Sequence, residues 1–93
     1  MHAHRQAMRF TIEQRHLTDD DGKPVRDPNL VAYHAFDAES VDDVVRLFVK
    51  KEGAEVIGAI LKFPGYQAVA TVRSTSGVYT LQVSPSSGKL VGR

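Results

Sequence analysis

Residues 40–53 read S-V-D-D-V-V-R-L-F-V-K-K-E-G, and this stretch decides the fold because its pattern, its ends and its charges all predict a helix. Apolar residues recur at the spacing of one helical face. The stripe consists of Val41, Val44, Val45 and Phe48, widened by Leu47 and Val49. Ser40 is a preferred N-cap residue, and Gly53 suits the left-handed residue that ends many helices. Because valines are poor helix formers, packing on a sheet is expected to hold this short helix.

Charged residues in the first and last turns also indicate where the helix begins and ends. Asp42 and Asp43 lie in the first turn, and Asp43 occupies the capping-box position three residues after Ser40. Lys50 and Lys51 lie in the last turn. Acids at the start and bases at the end complement the helix macrodipole, so the charges predict the same boundaries as the apolar pattern.

Two strands are predicted before the helix. Residues 8–16 alternate apolar and polar side chains, which predicts a strand with one solvated face, near an edge of the sheet. Residues 30–36, L-V-A-Y-H-A-F, are apolar at both parities, so this strand is expected to be covered on both faces for part of its length. Residues 18–29 between them are rich in Asp, Gly, Pro and Asn, and they predict the turn where the chain reverses.

Three further strands are predicted after the helix. Residues 54–63 are apolar at both parities and are expected to form a central strand. Residues 67–73 and 78–83 read as a hairpin around S-T-S-G at 74–77. The sequence therefore predicts one α+β domain over residues 1–93, in the order ββαβββ, with a mostly antiparallel five-stranded sheet and a single amphipathic helix packed on one face.

Composition narrows the classes of protein that fit. Hydrophobic residues at 42% and charged residues at 25% are ordinary values for one globular domain. A formal net charge of +1 is too small to provide a broad attraction to nucleic acid. The chain has no cysteine, and no apolar run reaches the roughly 18 residues of a membrane span, so a cytoplasmic protein is expected.

Motifs for catalysis, cofactors or metals are not recognisable. A calcium loop around Gly22 would need ligands at Leu17 and Pro28, so residues 19–22 read as a solvated turn. The sequence also has no nucleophile elbow, phosphate loop or dinucleotide fingerprint. No cofactor and no metal site is predicted, and an enzyme is the less favoured interpretation.

Two groups of residues remain as candidate sites. Tyr33 and His34 could line a ligand pocket with a carboxylate such as Glu55 or Asp37, although a strand histidine satisfied by one hydrogen bond is the simpler interpretation of His34. A basic patch with stacking rings could bind nucleic acid. Its candidate residues are Lys62, Arg73 and Lys89, near Tyr66 and Tyr79 in sequence. Lys and Arg that protect a sheet edge are the simpler interpretation of this patch.

A homodimer is predicted from the number of apolar faces. A helix about 10 Å across covers one side of about three strands that lie about 4.8 Å apart. In a continuous strand over 54–63, Val56 and Ile60 would face one side and Ile57 and Leu61 the other, so one pair would need cover. A two-fold partner would provide it, and the 18–29 loop folded across that face is the alternative.

Three functions follow from these patterns. The favoured one is a non-catalytic, homo-oligomeric interaction module that uses its sheet face or edge. The alternatives are a small nucleic-acid-associated regulator with a Lys/Arg rim and a small-ligand binder or enzyme with a pocket near Tyr33 and His34. A protein partner fits the first of these, whereas nucleic acid is disfavoured by the charge balance and a membrane by the absence of a long apolar run.

The two ends of the chain generate the first testable prediction. Residues 1–6 and 87–93 lack the alternation that would compensate their ordering entropy, so both are expected to be flexible tails. Removing both should leave the thermal melting temperature unchanged. A lower melting temperature on removing 87–93 would instead show that Leu90 and Val91 cover the sheet.

Overall fold

A computed structural model describes residues 7–19, 21–24 and 31–86, and these residues form one antiparallel sheet with one helix on one face. The elements in chain order are β1 (Met8–His16), β2 (Val31–Ala38), α1 (Val41–Glu52), β3 (Glu55–Val56), β4 (Leu61–Phe63), β5 (Gln67–Ser74) and β6 (Gly77–Pro85). The strand order in space is β2-β1-β6-β5-β3, and β4 also pairs with β5. The predicted α+β class, with a single helix packed on the sheet, is confirmed.

The helix begins and ends where the sequence predicts. Ser40 is the N-cap, and its hydroxyl accepts a hydrogen bond of 3.1 Å from the backbone N–H of Asp43. Gly53 ends the helix in the left-handed conformation at φ 65°. The buried residues are Val41, Val44, Val45 and Phe48, as predicted. Leu47 is the exception within the predicted stripe, because 41% of its surface is exposed.

The predicted central strand over 54–63 is wrong in both position and continuity. This segment lies at an edge and is divided into β3 and β4, which accounts for six strands where five were predicted. Val56 is opposite Val72 and Leu61 is opposite Val69, so residues 57–60 face only two residues of β5. Gly58 lies in this break at φ 82°, a conformation that favours glycine. The extra residues prevent an uninterrupted ladder.

β1 lies near an edge of the sheet, as predicted: it is the second strand and pairs with the edge strand β2 on one side and with β6 on the other. The prediction for β2 is corrected, because β2 is the edge strand and the described residues do not cover it on both faces: Tyr33 and Ala35 are exposed. The predicted hairpin of β5 and β6 is confirmed, with Ser74 opposite Gly77.

The core lies between the helix and one face of the sheet. Four strands contribute alternate residues to it, as their pleat requires. These residues are Phe10, Ile12, Ala38, Ala68, Ala70, Val72, Tyr79, Leu81 and Val83. Phe48 of the helix is fully buried and contacts the rings of His34, Phe36 and Tyr79 edge-on, with centroids 5.1, 6.4 and 6.1 Å away. We call this side of the sheet the helix face and the other side the open face.

The turn predicted after β1 is present in the described residues 18, 19 and 21–24, where Asp19 organises it. The Asp19 carboxylate accepts hydrogen bonds of 2.9 Å from the backbone N–H groups of Asp21 and Lys23. The aspartate carboxylate thus accepts the hydrogen bonds of backbone N–H groups in the turn, as in an Asx turn. Residues 20 and 25–29 of the predicted loop, and the predicted tails 1–6 and 87–93, lie outside the described residues.

No helix in the described part of the chain is long and apolar enough to cross a membrane.

The burial of Phe48 generates a prediction about stability. Phe48→Ala should lower the free energy of unfolding by about 3 to 5 kcal/mol, because it removes a fully buried ring from three aromatic contacts. Arg46→Ala on the same helix should cost little, because that side chain is 69% exposed and contacts Asp43 in a surface ion pair. Urea unfolding of both variants measures the difference. Equal losses would show that the buried face is assigned incorrectly.

Candidate functional site

The outer edge of β2 is the most unusual feature of the described surface. β2 is 8 residues long and pairs with β1, and no other described strand pairs with it. Its side chains are largely apolar, and Tyr33 is 68% exposed. The strand contains no Pro and no Lys, and its single charged residue, Asp37, lies near its end. A long edge strand of this kind presents backbone N–H and C=O groups that can pair with another strand.

The opposite edge of the sheet is built from shorter strands. It consists of a strand of 2 residues and a strand of 3, separated by the break at Gly58. Each short strand carries a charge held in an ion pair: Glu55 with Arg73 at 2.6 Å, and Lys62 with Asp42 at 2.7 Å. Short strands, breaks and charges are the devices that protect sheet edges from unwanted pairing. The fold therefore protects one edge, and no strand among the described residues pairs with the outer side of the other.

Both sides of the β2 edge carry residues that a paired strand would meet. On the helix face, the Lys51 ammonium lies 5.6 Å from the ring centroid of Phe36. Leu47 is one helical turn before Lys51 and therefore lies on the same side of the helix. On the open face, Arg9 and Asp37 are opposite each other and form an ion pair at 3.2 Å. The edge is thus bordered by an apolar side chain, aromatic rings and a surface ion pair.

A polar cluster lies beneath the helix, inside the β2 edge. Gln14 of β1 is 9% exposed and connects two histidines. The His34 ring N–H at Nε2 donates to Gln14 Oε1 at 2.7 Å, and Gln14 Nε2 donates to His16 Nε2 at 3.1 Å. The His16 ring contacts the Tyr79 ring, with centroids 4.8 Å apart. Both polar ends of a buried amide are therefore satisfied, as burial requires.

The structure separates the two residues of the predicted ligand site. Tyr33 and His34 are neighbours on β2 and point to opposite faces, because side chains alternate along a strand. His34 contacts Gln14 and Phe48 on the helix face. Tyr33 borders a groove of about 310 Å³ on the open face, which is also lined by Thr11, Glu13, Gln82, Ser84, Pro85 and Ser86. Asp37 lies on the open face and Glu55 on the far edge, so these residues do not converge on one pocket.

The predicted basic residues are likewise not brought together. Lys62 is opposite Ala68 and contacts Asp42 of the helix. Arg73 lies farther along β5 and contacts Glu55. Lys89 lies outside the described residues. The two described cations are each paired with a carboxylate and face opposite sides of the sheet, which leaves no shared basic surface between them.

An apolar group occupies the far end of the open face. Leu61, Phe63 and Tyr66 are 57%, 49% and 59% exposed. Phe63 also borders a groove of about 290 Å³ with Gln67, Ala68, Val69, Gln82 and Val83. Tyr66 adopts φ 60°, which is rare for an aromatic residue, in the turn between β4 and β5. Within the described part of the chain, no group of three or more His, Asp or Glu residues could hold a metal ion.

Sequence reasoning missed both main features of this site. It did not single out Gln14, although a polar residue at a core position of an alternating strand is the signal that could have identified it. It also predicted that β2 is covered on both faces and that 54–63 is a central strand, whereas both segments lie at edges of the sheet. The run L-V-A-Y-H-A-F is apolar at both parities, a pattern that is typical of a strand covered on both faces. The pattern therefore gave no sign that Tyr33 is exposed.

The polar cluster generates a prediction. Gln14→Leu should lower the free energy of unfolding by about 1 to 3 kcal/mol, because it removes the hydrogen-bond partner of two partly buried ring nitrogens. Gln82→Leu, an exposed position of the open face, is the matched control and should change stability by less than about 0.5 kcal/mol. Urea unfolding measures both. A Gln14→Leu variant as stable as the parent would show that the cluster does not contribute to stability.

A comparison of the chain with protein-family models, with curated proteins and with solved structures finds no match. Function is therefore argued from the surface itself, since a fold of this class can host many functions.

Proposed function

We propose that this chain is a non-catalytic interaction module that forms homodimers by pairing the β2 edges of two copies into one continuous sheet. The observation that carries the proposal is the contrast between the two edges of the sheet. β2 is an edge strand of 8 residues, whereas the opposite edge is divided into strands of 2 and 3 residues. Edge pairing of this kind obtains affinity from main-chain hydrogen bonds and specificity from alternate side chains.

A second copy of the chain is the partner that the edge fits best. An antiparallel strand can pair with itself about a two-fold axis, so both copies use the same surface. The charges and the side chains of β2 suit such a pairing. The centre of β2 is uncharged, which avoids like charges facing each other, and the neighbouring open face carries the cation of Arg9 and the exposed ring of Tyr33.

The basis for the dimer differs from the one that the sequence suggests. The sequence argument counted two apolar faces of a strand over 54–63, but this segment is interrupted and lies at the protected edge. The open face of β1 carries Thr11, Glu13 and Arg15, which need no cover from a partner. The outer edge of β2, which no other described strand pairs with, replaces the apolar face as the reason for association.

Charges introduced at the β2 edge provide the test. Tyr33→Lys and Ala35→Lys should each shift the molar mass measured by light scattering at micromolar concentration from twice the 10.3 kDa of one chain to the mass of the monomer. Lysine at an edge strand opposes pairing, and both positions are exposed, so the fold should be retained.

Gln82→Lys is the matched control, because it adds the same charge at an exposed position of the open face on an inner strand. This variant should remain dimeric. A parent chain whose mass stays at 10.3 kDa as its concentration rises would contradict the proposal. A Gln82→Lys monomer would point to an interface on the open face instead of the edge.

A further inference from the structure

We infer that the two-fold axis of the dimer passes beside Ala35, so that this residue faces its own copy across the new strand pair. The inference rests on the proposed function, since it assigns the register of β2 against β2 of the second copy. Directly opposite residues in an antiparallel pair lie on the same face, so a two-fold register must place one residue opposite itself. The choice of that residue fixes every other contact across the interface.

Strand length reduces the choice to two registers. β2 comprises residues 31–38, and a two-fold at its middle falls on His34 or on Ala35. With the axis at His34, residues 31–37 of one copy pair with residues 31–37 of the other. With the axis at Ala35, residues 32–38 pair in the same way. Axes at Tyr33 or Phe36 leave several residues at one end of the strand unpaired, and each unpaired position forfeits ladder contacts.

Side-chain chemistry then separates the two remaining registers. An axis at His34 places the two His34 rings against each other and sets Val31 opposite Asp37, an apolar residue against a charge. An axis at Ala35 places the two small Ala35 side chains directly opposite each other. It also sets His34 opposite Phe36 on the helix face, which is an aromatic pair of the kind that stabilises sheets.

The open face favours the same register. With the axis at Ala35, Tyr33 of one copy is opposite Asp37 of the other. Asp37 is held by Arg9 at 3.2 Å, so the exposed Tyr33 ring would lie beside an ion pair that the fold already provides. A guanidinium near an aromatic ring and a phenol near a carboxylate are both favourable contacts. The symmetry repeats this arrangement on each side of the axis.

The helix face adds apolar contact at the same interface. Phe36 lies under Lys51, and Leu47 is 41% exposed on the side of the helix nearest β2. The second copy would bring its own Phe36 and Leu47 alongside. The interface therefore continues from the strand edge onto the helix, which enlarges it beyond the backbone ladder towards the size of a stable interface.

Single cysteines can measure the register directly, because the chain has no cysteine of its own. Directly opposite residues have Cβ atoms about 4.5 to 5.5 Å apart, close to the geometry of a disulfide, whereas diagonal neighbours are about 7 to 8 Å apart. Under mild oxidation, Ala35→Cys should form covalent dimers at least about tenfold faster than Tyr33→Cys. His34→Cys and Phe36→Cys, which are diagonal to themselves, should be intermediate.

A mixing experiment gives an independent reading. Copies carrying Tyr33→Cys and copies carrying Asp37→Cys should cross-link with each other faster than either does with itself, because these positions are opposite only when the axis lies at Ala35. Fastest self-cross-linking of His34→Cys, with no preference for the mixed pair, would overturn the assigned register.

The mass of the same variants under reducing conditions separates this inference from the function on which it rests. A dimeric mass with the fastest cross-link elsewhere than residue 35 contradicts the register and leaves edge pairing in place. A monomeric mass for the parent chain contradicts both. A dimer in which no cysteine on β2 cross-links would move the interface away from this edge and would likewise overturn the inference.

Discussion

The contact of Phe48 with three aromatic rings is the interaction on which the rest of the structure depends. This ring is fully buried and contacts side chains from two different strands, β2 and β6. These strands are separated by β1 in the sheet, so a single helical residue fixes the helix across three strands. On the helix face, the alternate residues of β5 and β6 are buried, whereas His34 and Phe36 of β2 are only half-buried. Phe48 thus holds the helix on the sheet, and the cover becomes thinner towards the β2 edge.

The fold class follows from sequence because several local signals agree. At residues 40–53 the cap, the apolar spacing and the charges favour the same helix, and consistency of this kind specifies structure strongly. The strand over 54–63 shows where such reasoning fails. Apolar residues at both parities are typical of a buried strand, but a single glycine at positive φ allows a break that converts the segment into two short edge strands. The residue composition of 54–63 does not distinguish one buried strand from two short edge strands.

The site was less accessible to sequence reasoning than the fold, for a related reason. An edge is a property of strand order, and strand order depends on contacts between residues far apart in the chain. Ile12 is opposite His34, a pairing that spans the 18–29 segment and that neither strand specifies by itself. The same pairing brings Gln14 close to His34. Both the exposed edge and the polar cluster therefore result from one register that the two strands acquire only together.

The side-chain amide of Gln14 has a consequence for the chemistry of the two rings that it connects. An amide has one end that only accepts a hydrogen bond and one end that only donates, so its two partners must have opposite roles. With His34 as donor, His16 accepts at Nε2 and carries its hydrogen at Nδ1. Flipping the Gln14 amide would make His34 the acceptor and His16 the donor, but the two rings would still have opposite roles. Two rings that both carry hydrogen at Nε2 would leave one N–H facing another, so the tautomer of a histidine on the edge strand is linked to that of a histidine on the inner strand.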